Sequence, residues 1–273
     1  MATRSVVSVE RLRSADTVPL RRLLDMDPVI HVYLRSELRL GVEYADWWGV
    51  RDGDSLRAAI LAGALAVPCI SDRQDAWRLA EAACAKSPPR MLVGPRDAVI
   101  ALRDALLPVR RPRDVRDPQP LLTLTRDVAL PDVASPVRLA TRADVEALTV
   151  AAAAMHREEM GDPLPMDPAA WTARMTSLVD LGWSWVWTER DAVIFKAELS
   201  AWTPEAVQIQ GVYTHPGKRQ RGVATAALAV MCRTVLRQVP VCSLYVNNTN
   251  TGALRLYERL GFRRAGDFAT VFY

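Results

Sequence analysis

The run Gly211-Val212-Tyr213-Thr214-His215-Pro216-Gly217-Lys218-Arg219-Gln220-Arg221-Gly222-Val223-Ala224 carries the strongest chemical signal in the sequence. It reads as an apolar strand ending in His-Pro, a basic loop, and a helix that opens on small residues. The first turn of a helix presents backbone N–H groups without intrahelical acceptors, together with the positive end of the helix dipole, so this arrangement suits a phosphate. Gly222 and Ala224 would let the anion reach the backbone, and Lys218, Arg219 and Arg221 would add charge. Taken alone, the same residues also describe an ordinary strand-to-helix turn. A second constellation runs from Leu244 to Phe262 and gathers Asn247, Asn248, Asn250, Ala253, Tyr257 and Gly261 around a short helix. Lys196 and Glu198 fall on one face of a strand, where a plain ion pair is the simplest reading. His31, His156 and His215 stand apart from one another and suit structural or surface roles. Trp183, Trp185 and Trp187 alternate along one strand, as core residues or as the wall of a pocket.

Two α/β halves are needed to place these residues. In the first, helices are expected over Val18–Leu24 and Ile30–Leu38, and strands over Trp47–Val50 and Leu56–Leu61 around the hairpin signal Asp52-Gly53-Asp54. A strand at Leu65–Ile70 follows, then helices at Gln74–Ala85 and Arg96–Leu106 enclosing a strand at Arg90–Val93, and a strand at Leu121–Thr125. In the second, a strand at Pro136–Ala140 leads into a helix from Thr141 and Asp144 to Met160. A helix at Pro168–Leu181 precedes strands at Trp183–Thr188, Ala192–Leu199 and Ala206–His215. A helix at Val223–Leu236, a strand at Val241–Val246, a helix at Thr251–Leu260 and two closing strands, Phe262–Ala265 and Phe268–Phe272, complete it. The early parts of the halves read differently, but each contains strand, helix, strand, helix and strand after a hairpin, as a duplication would leave. The boundaries drawn are 1–125, a proline-rich linker at 126–136, and 137–273.

The chain has 273 residues, half of them hydrophobic and 24% charged, which excludes disorder for most of its length and suits two domains. The net charge is +4. Only Lys86, Lys196 and Lys218 are lysines, and the arginines interleave with acids, as in Arg103-Asp104 and Arg116-Asp117, so no nucleic-acid surface is expected. The cysteines Cys69, Cys84, Cys232 and Cys242 have no paired metal-ligand spacing and read as buried reduced thiols, so no metal is expected. The first residues lack an apolar signal core, and the longest apolar stretch, Ala58 to Ile70, is too short for a bilayer span. The expectation is a cytoplasmic protein without a membrane partner.

Together the two constellations resemble the acetyl-CoA-binding signature of the GNAT N-acetyltransferase superfamily. In that family Arg/Gln-x-x-Gly-x-Gly/Ala cradles the CoA pyrophosphate, and Arg219, Gly222 and Ala224 occupy its specified positions. The later Asn-x-x-Ala-x-x-x-Tyr-x-x-x-Gly-Phe falls on Asn250, Ala253, Tyr257, Gly261 and Phe262. This resemblance covers residues 137–273. The chain is also similar to a two-domain bacterial subgroup with a poorly characterised N-terminal domain, through Asp25-Met26-Asp27-Pro28-Val29, Val193 to Leu199, Gln208 to Val212, and Phe268 to Phe272. It implies an α/β (α+β) protein: a C-terminal GNAT fold, with a mixed central sheet flanked by helices, preceded by a smaller, degenerate GNAT-like domain. The first half has no Arg-x-x-Gly-x-Gly loop before a helix, so no CoA is expected there.

The resemblance implies acetyl-CoA as co-substrate and an amine-bearing acceptor, and leaves a homodimer open. It places the cofactor against Val212, Tyr213, Thr214, Arg219, Gln220, Arg221, Gly222, Val223, Ala224, Asn250, Ala253 and Tyr257. Tyr257 becomes the acid for the leaving thiolate, and a backbone N–H among Val212 to Thr214 holds the oxyanion. Many relatives carry a Glu base on the strand before the loop, but Gln208 and Gln210 stand there. Glu198 is therefore the first substitute base, and Glu158 or Glu159 the second. Acceptor choice falls to Glu158, Glu159 and the 161–171 loop. The competing reading is a non-catalytic acyl-CoA-binding regulatory module.

Overall fold

The computed structural model describes residues 7–41, 46–84, 87–161 and 167–273. The first half runs β1 (Val7–Arg11), α1 (Thr17–Leu24), α2 (Val32–Leu40), β2 (Asp46–Asp52), β3 (Ser55–Ala62), β4 (Leu65–Cys69), α3 (Arg73–Leu79), β5 (Met91–Pro95), α4 (Arg96–Leu106) and β6 (Asp114–Thr125). The second runs β7 (Arg138–Leu139), α5 (Val145–Met160), α6 (Pro168–Asp180), β8 (Ser184–Glu189), β9 (Ala192–Trp202), β10 (Ala206–Thr214), α7 (Val223–Val235), β11 (Val241–Tyr245), α8 (Thr251–Arg259) and β12 (Arg263–Phe272). The order of strands and helices is the same in both halves, so their early parts match after all. The sequence reading missed β1, a half-exposed five-residue strand with little apolar contrast.

The same local device starts the first helix of each half. The Asp16 carboxylate accepts the Arg13 N–H at 2.7 Å, and the Asp144 carboxylate accepts the Thr141 N–H at 2.7 Å, each just before its helix. Asp144 also takes both ends of the Arg138 guanidinium at 2.8 Å, which holds its carboxyl well below the usual carboxylate range.

One compact unit comprises residues 1–122, 245–251 and 264–273. Its strands pair in the order β1-β2-β3-β4-β5-β12, antiparallel except for β4 beside β5. β3 is buried on both faces, which is why its sequence reads as an unbroken apolar run. Ala58, Ile60 and Ala62 pack with Leu79, Val99, Leu102 and Leu106 of α3 and α4. The alternate residues Ala59 and Leu61 pack with Leu20, Leu23, Leu24 and Leu34 of α1 and α2. The other unit comprises residues 123–244 and 252–263. Its strands pair in the order β7-β8-β9-β10-β11, with β10 and β11 parallel. Leu148, Ala152, Met175 and Leu178 of α5 and α6 cover Val186, Val193 and Tyr213.

The closing segment departs from its sequence reading. Instead of two strands it forms the single β12, whose Phe268 to Phe272 pair with Pro95 to Met91 of β5. The compact units are thus interleaved along the chain, which a boundary drawn along the sequence does not show. β6 begins well before Leu121, because Pro118 and Pro120 lose only a donor, and the Pro120 carbonyl still accepts the Val246 N–H at 3.2 Å. β7 is shorter than read, and the helix expected to reach Ala85 passes into a wider turn over Ala80–Cys84, its last residue lying outside the described residues. Among the described residues no helix is long and apolar enough to cross a membrane.

Candidate active site

The site is built where β10 leaves its neighbours. The parallel ladder to β11 runs from Ala206–Val241 to Gln208–Ser243 and goes no further, while β10 continues to Thr214. On its other side, Gln210 pairs with Glu198 and Tyr213 with Lys196, so Gly211 and Val212 together oppose Ala197. That is a β-bulge, and Gly211 takes the left-handed φ of +59° that it requires. Beneath it lies a buried ion pair. Lys196 is fully buried and Glu198 is 3% exposed, with Nζ donating to Glu198 Oε1 at 2.6 Å and to the Gly211 carbonyl at 3.1 Å.

After β10 the chain turns through a loop fastened by its own groups. His215 Nδ1 accepts the Gly217 N–H at 3.2 Å, and the Arg219 guanidinium donates to the Thr214 carbonyl at 2.9 Å and to Glu158 at 2.5 Å. Lys218 is paired with Glu189. Two of the three cations expected to supply charge are therefore held by carboxylates, while Arg221 is exposed. Gln220 and Gly222 both adopt positive φ, +60° and +79°. Gly222 stands at the N-cap of α7, where no side chain caps the helix, and a Cβ added to it would meet nothing within 4 Å. The start of α7, from Val223 through the half-buried Ala224, is thus approached over bare backbone.

On α8, Tyr257 is 6% exposed and meets Phe262 edge to face at 5.6 Å. Burial pushes its phenol well above the usual tyrosine value, and nearby Cys232 and Glu159 push it the same way. Gly261 is required by packing as well as by its φ of +89°, since a Cβ there would stand 2.5 Å from Val128 Cγ1. Asn250 lies in the turn before α8, its N–H bonded to the Asn247 carbonyl at 2.9 Å, and Ala253 sits in the first turn of the helix.

The remaining residues singled out from sequence are placed as follows. Trp185 is buried, whereas Trp183 precedes β8 and packs against the α5–α6 core. His156 packs edge to face on Trp171, and His31 Nε2 lies 3.4 Å from the Cys69 sulfur. Residues 162–166 of the 161–171 loop lie outside the described residues. The described residues hold no group of three or more side chains suited to a metal ion.

The first half has a strand-to-helix turn at the same place in its element order, between β4 and α3, but its chemistry differs. Asp72 caps α3 with its own carboxylate, which accepts the Gln74 N–H at 2.7 Å. Asp75 follows, 2% exposed and gripped by Arg57 at 2.6 Å and Arg78 at 2.9 Å. The helix end that could draw an anion is already occupied by carboxylates. Sequence reasoning registered only the missing glycines; the Ser71-Asp72 start preceding α3 is the signal that could have shown the cap.

Residues 153–262 match the profile of the Acetyltransferase (GNAT) family, and residues 45–148 match a domain of unknown function (DUF4081). No curated protein matches the chain. Among solved structures, an acetyltransferase of the GNAT family from Colwellia psychrerythraea aligns with a TM-score of 0.63 at 11% identity, over 97% of this chain and 99% of its own. A GCN5-related N-acetyltransferase from Sphaerobacter thermophilus aligns at 0.61 and 18% identity, over 97% and 94%. A tandem GNAT protein from the clavulanic acid biosynthesis pathway aligns at 0.60 and 17% identity, over 97% and 98%. At such identities the likeness is one of fold. The fold is that of the GNAT proteins, and residues 153–262 resemble the GNAT acetyltransferase family in sequence as well.

Proposed function

We propose that the protein is an acetyl-CoA-dependent N-acetyltransferase that passes the acetyl group directly from the CoA thioester to an amine, its site lying in the 137–273 half. The observation that carries this reading is the bulged end of β10 leading into the uncapped start of α7 behind Gly222. Acetyl-CoA is the co-substrate of GNAT enzymes, and two parts of it find complementary groups here. Its pyrophosphate suits the backbone N–H groups from Gly222 to Ala224, with Arg221 adding charge and Gln220 shaping the turn. Its thioester suits the β10 end, where an N–H among Val212, Tyr213 and Thr214 receives the negative charge that grows on the carbonyl oxygen as the amine attacks. Arg219, tied to Thr214 and Glu158, holds the loop against the strand. Asn250 and Ala253 belong to the same motif and are assigned to the cofactor with it.

Tyr257 serves as the acid. An ordinary phenol is protonated at neutral pH and can hand its proton to the departing thiolate. The amine must lose a proton as it attacks. Of the carboxylates weighed from sequence, Glu198 is sealed against Lys196, so the acceptor role is assigned to Glu158 or Glu159 at the end of α5, of which Glu158 is held by Arg219. The first half, with carboxylates at the corresponding helix start, is assigned no CoA.

Calorimetric titration with acetyl-CoA, followed by assay of CoA release over a panel of small amines, amino acids and peptide N-termini, tests the reading. Binding with CoA release is the expected result. Binding without release for any amine would favour a regulatory acyl-CoA-binding module, and no binding would refute the assignment.

A further inference from the structure

We propose that Lys196 is a positioning residue: with Glu198 as its counter-ion, it fixes the β10 bulge so that the Val212 N–H is aimed at the thioester carbonyl. The proposal rests on the acetyl-CoA reading above. Its starting point is an expense that packing alone does not explain. Taking an ammonium and a carboxylate out of water is costly, and a well-packed apolar pair is often as stable or more so. Here both charges are buried inside the sheet, Lys196 completely, although an apolar pair would fill the same space. The third partner supplies the reason. Besides Glu198 Oε1, the Lys196 Nζ donates to the Gly211 carbonyl at 3.1 Å.

In a regular ladder that carbonyl would be taken up by the neighbouring strand. The bulge removes it from the register, since Gly211 and Val212 have no paired residue between Gln210–Glu198 and Tyr213–Lys196. Lys196 then becomes its donor. The Gly211 carbonyl and the Val212 N–H belong to one planar trans peptide and point in opposite directions. Gripping the carbonyl on the Lys196 side therefore turns the Val212 N–H to the other. The contact is close enough to dictate that orientation, because a Cβ on Gly211 would fall 2.8 Å from Glu198 Oε2 and 3.2 Å from Lys196 Nζ. Glu198 on this account neutralises Lys196 and does not move protons.

The test compares the parent protein with Lys196→Met/Glu198→Gln, which removes both charges and leaves neither stranded. Binding of acetyl-CoA, CoA and 3′-phospho-ADP, the nucleotide half of CoA, is measured by calorimetry. The parent should prefer acetyl-CoA over CoA several-fold, as one well-aimed hydrogen bond allows. The variant should bind 3′-phospho-ADP within about twofold of the parent and lose the preference for acetyl-CoA. In the parent itself, hydrogen exchange at the Val212 amide should be slower with acetyl-CoA than with CoA, a readout that does not depend on the variant folding. A preference that survives the double substitution, a loss shared equally by all three ligands, or Val212 exchange that is the same with both cofactors overturns the positioning role and leaves the acetyl-CoA reading standing. A parent that binds none of the three overturns that reading, and the positioning role with it.

Discussion

Gly222→Ala is the most direct probe of the phosphate loop, because its two expected costs can be separated. Gly222 sits at φ +79° and ψ −2°, a left-handed conformation. An L-residue there costs ~1–2 kcal/mol through its Cβ, and for an alanine at an exposed turn the lower end is appropriate. No clash adds to it, since the new Cβ would meet no heavy atom of the protein within 4 Å. Stability should fall by ~1 kcal/mol, about 2–4 °C in Tm for a unit of this size. That strain is present with and without ligand and cancels from the binding constant. What does not cancel is the methyl group standing where an anion would approach the α7 backbone, and it should raise the Kd for acetyl-CoA at least tenfold, ~1.4 kcal/mol. Chemical denaturation gives the first quantity and calorimetry the second. A folded Gly222→Ala protein that binds acetyl-CoA with unchanged affinity would show that the pyrophosphate is held elsewhere.

Tyr257→Phe keeps the ring against Phe262, so acetyl-CoA affinity should survive while kcat falls by ~10²-fold, and transfer at the parent rate would make Tyr257 a packing residue. Burial in the first half lowers the His31 pKa, against a rise from Asp27, so its fold binds fewer protons than the unfolded chain just below pH 6.5 and its stabilising effect is lost as pH falls through that window. Glu37, pushed up by burial, acts in the opposite sense, so the readout is the difference between parent and His31→Gln: the parent should lose stability more steeply between pH 6.5 and 5, and parallel curves would contradict the linkage. Asp72→Ala removes the α3 cap and should cost ~1 kcal/mol of stability in a denaturant melt, with no effect meaning that another group satisfies the helix start. Hydrogen exchange with acetyl-CoA should protect the β10–α7 loop and leave Ser71 to Trp77 unchanged, whereas protection at that turn would overturn the assignment of the first half as CoA-free.

What the sequence disclosed was local. The glycine and basic residues after β10, the Asn250 to Phe262 pattern and most helices were legible because turn chemistry and apolar periodicity act over a few residues. The bulge was not, since its only marks are a glycine in a strand and a Lys and Glu two positions apart, which read as a plain ion pair until burial and the third partner are known. Nor was the shared element order of the halves, which hung on β1, a strand stabilised by pairing with β2 and carrying little pattern of its own. The place of β12 was hidden for a related reason: a strand's alternation says which face is buried, never which distant partner it meets.

That partner bears on how the protein is made. β5 is synthesised early, yet one of its edges is completed by residues 268–272, which reach it only after the whole second half has been translated. Until then the nascent first unit carries an open strand edge, the kind of surface that recruits stray β-segments and chaperones. A proteolytic nick that removes residues 264–273 would accordingly be felt as damage to the unit built mainly from the first half of the chain.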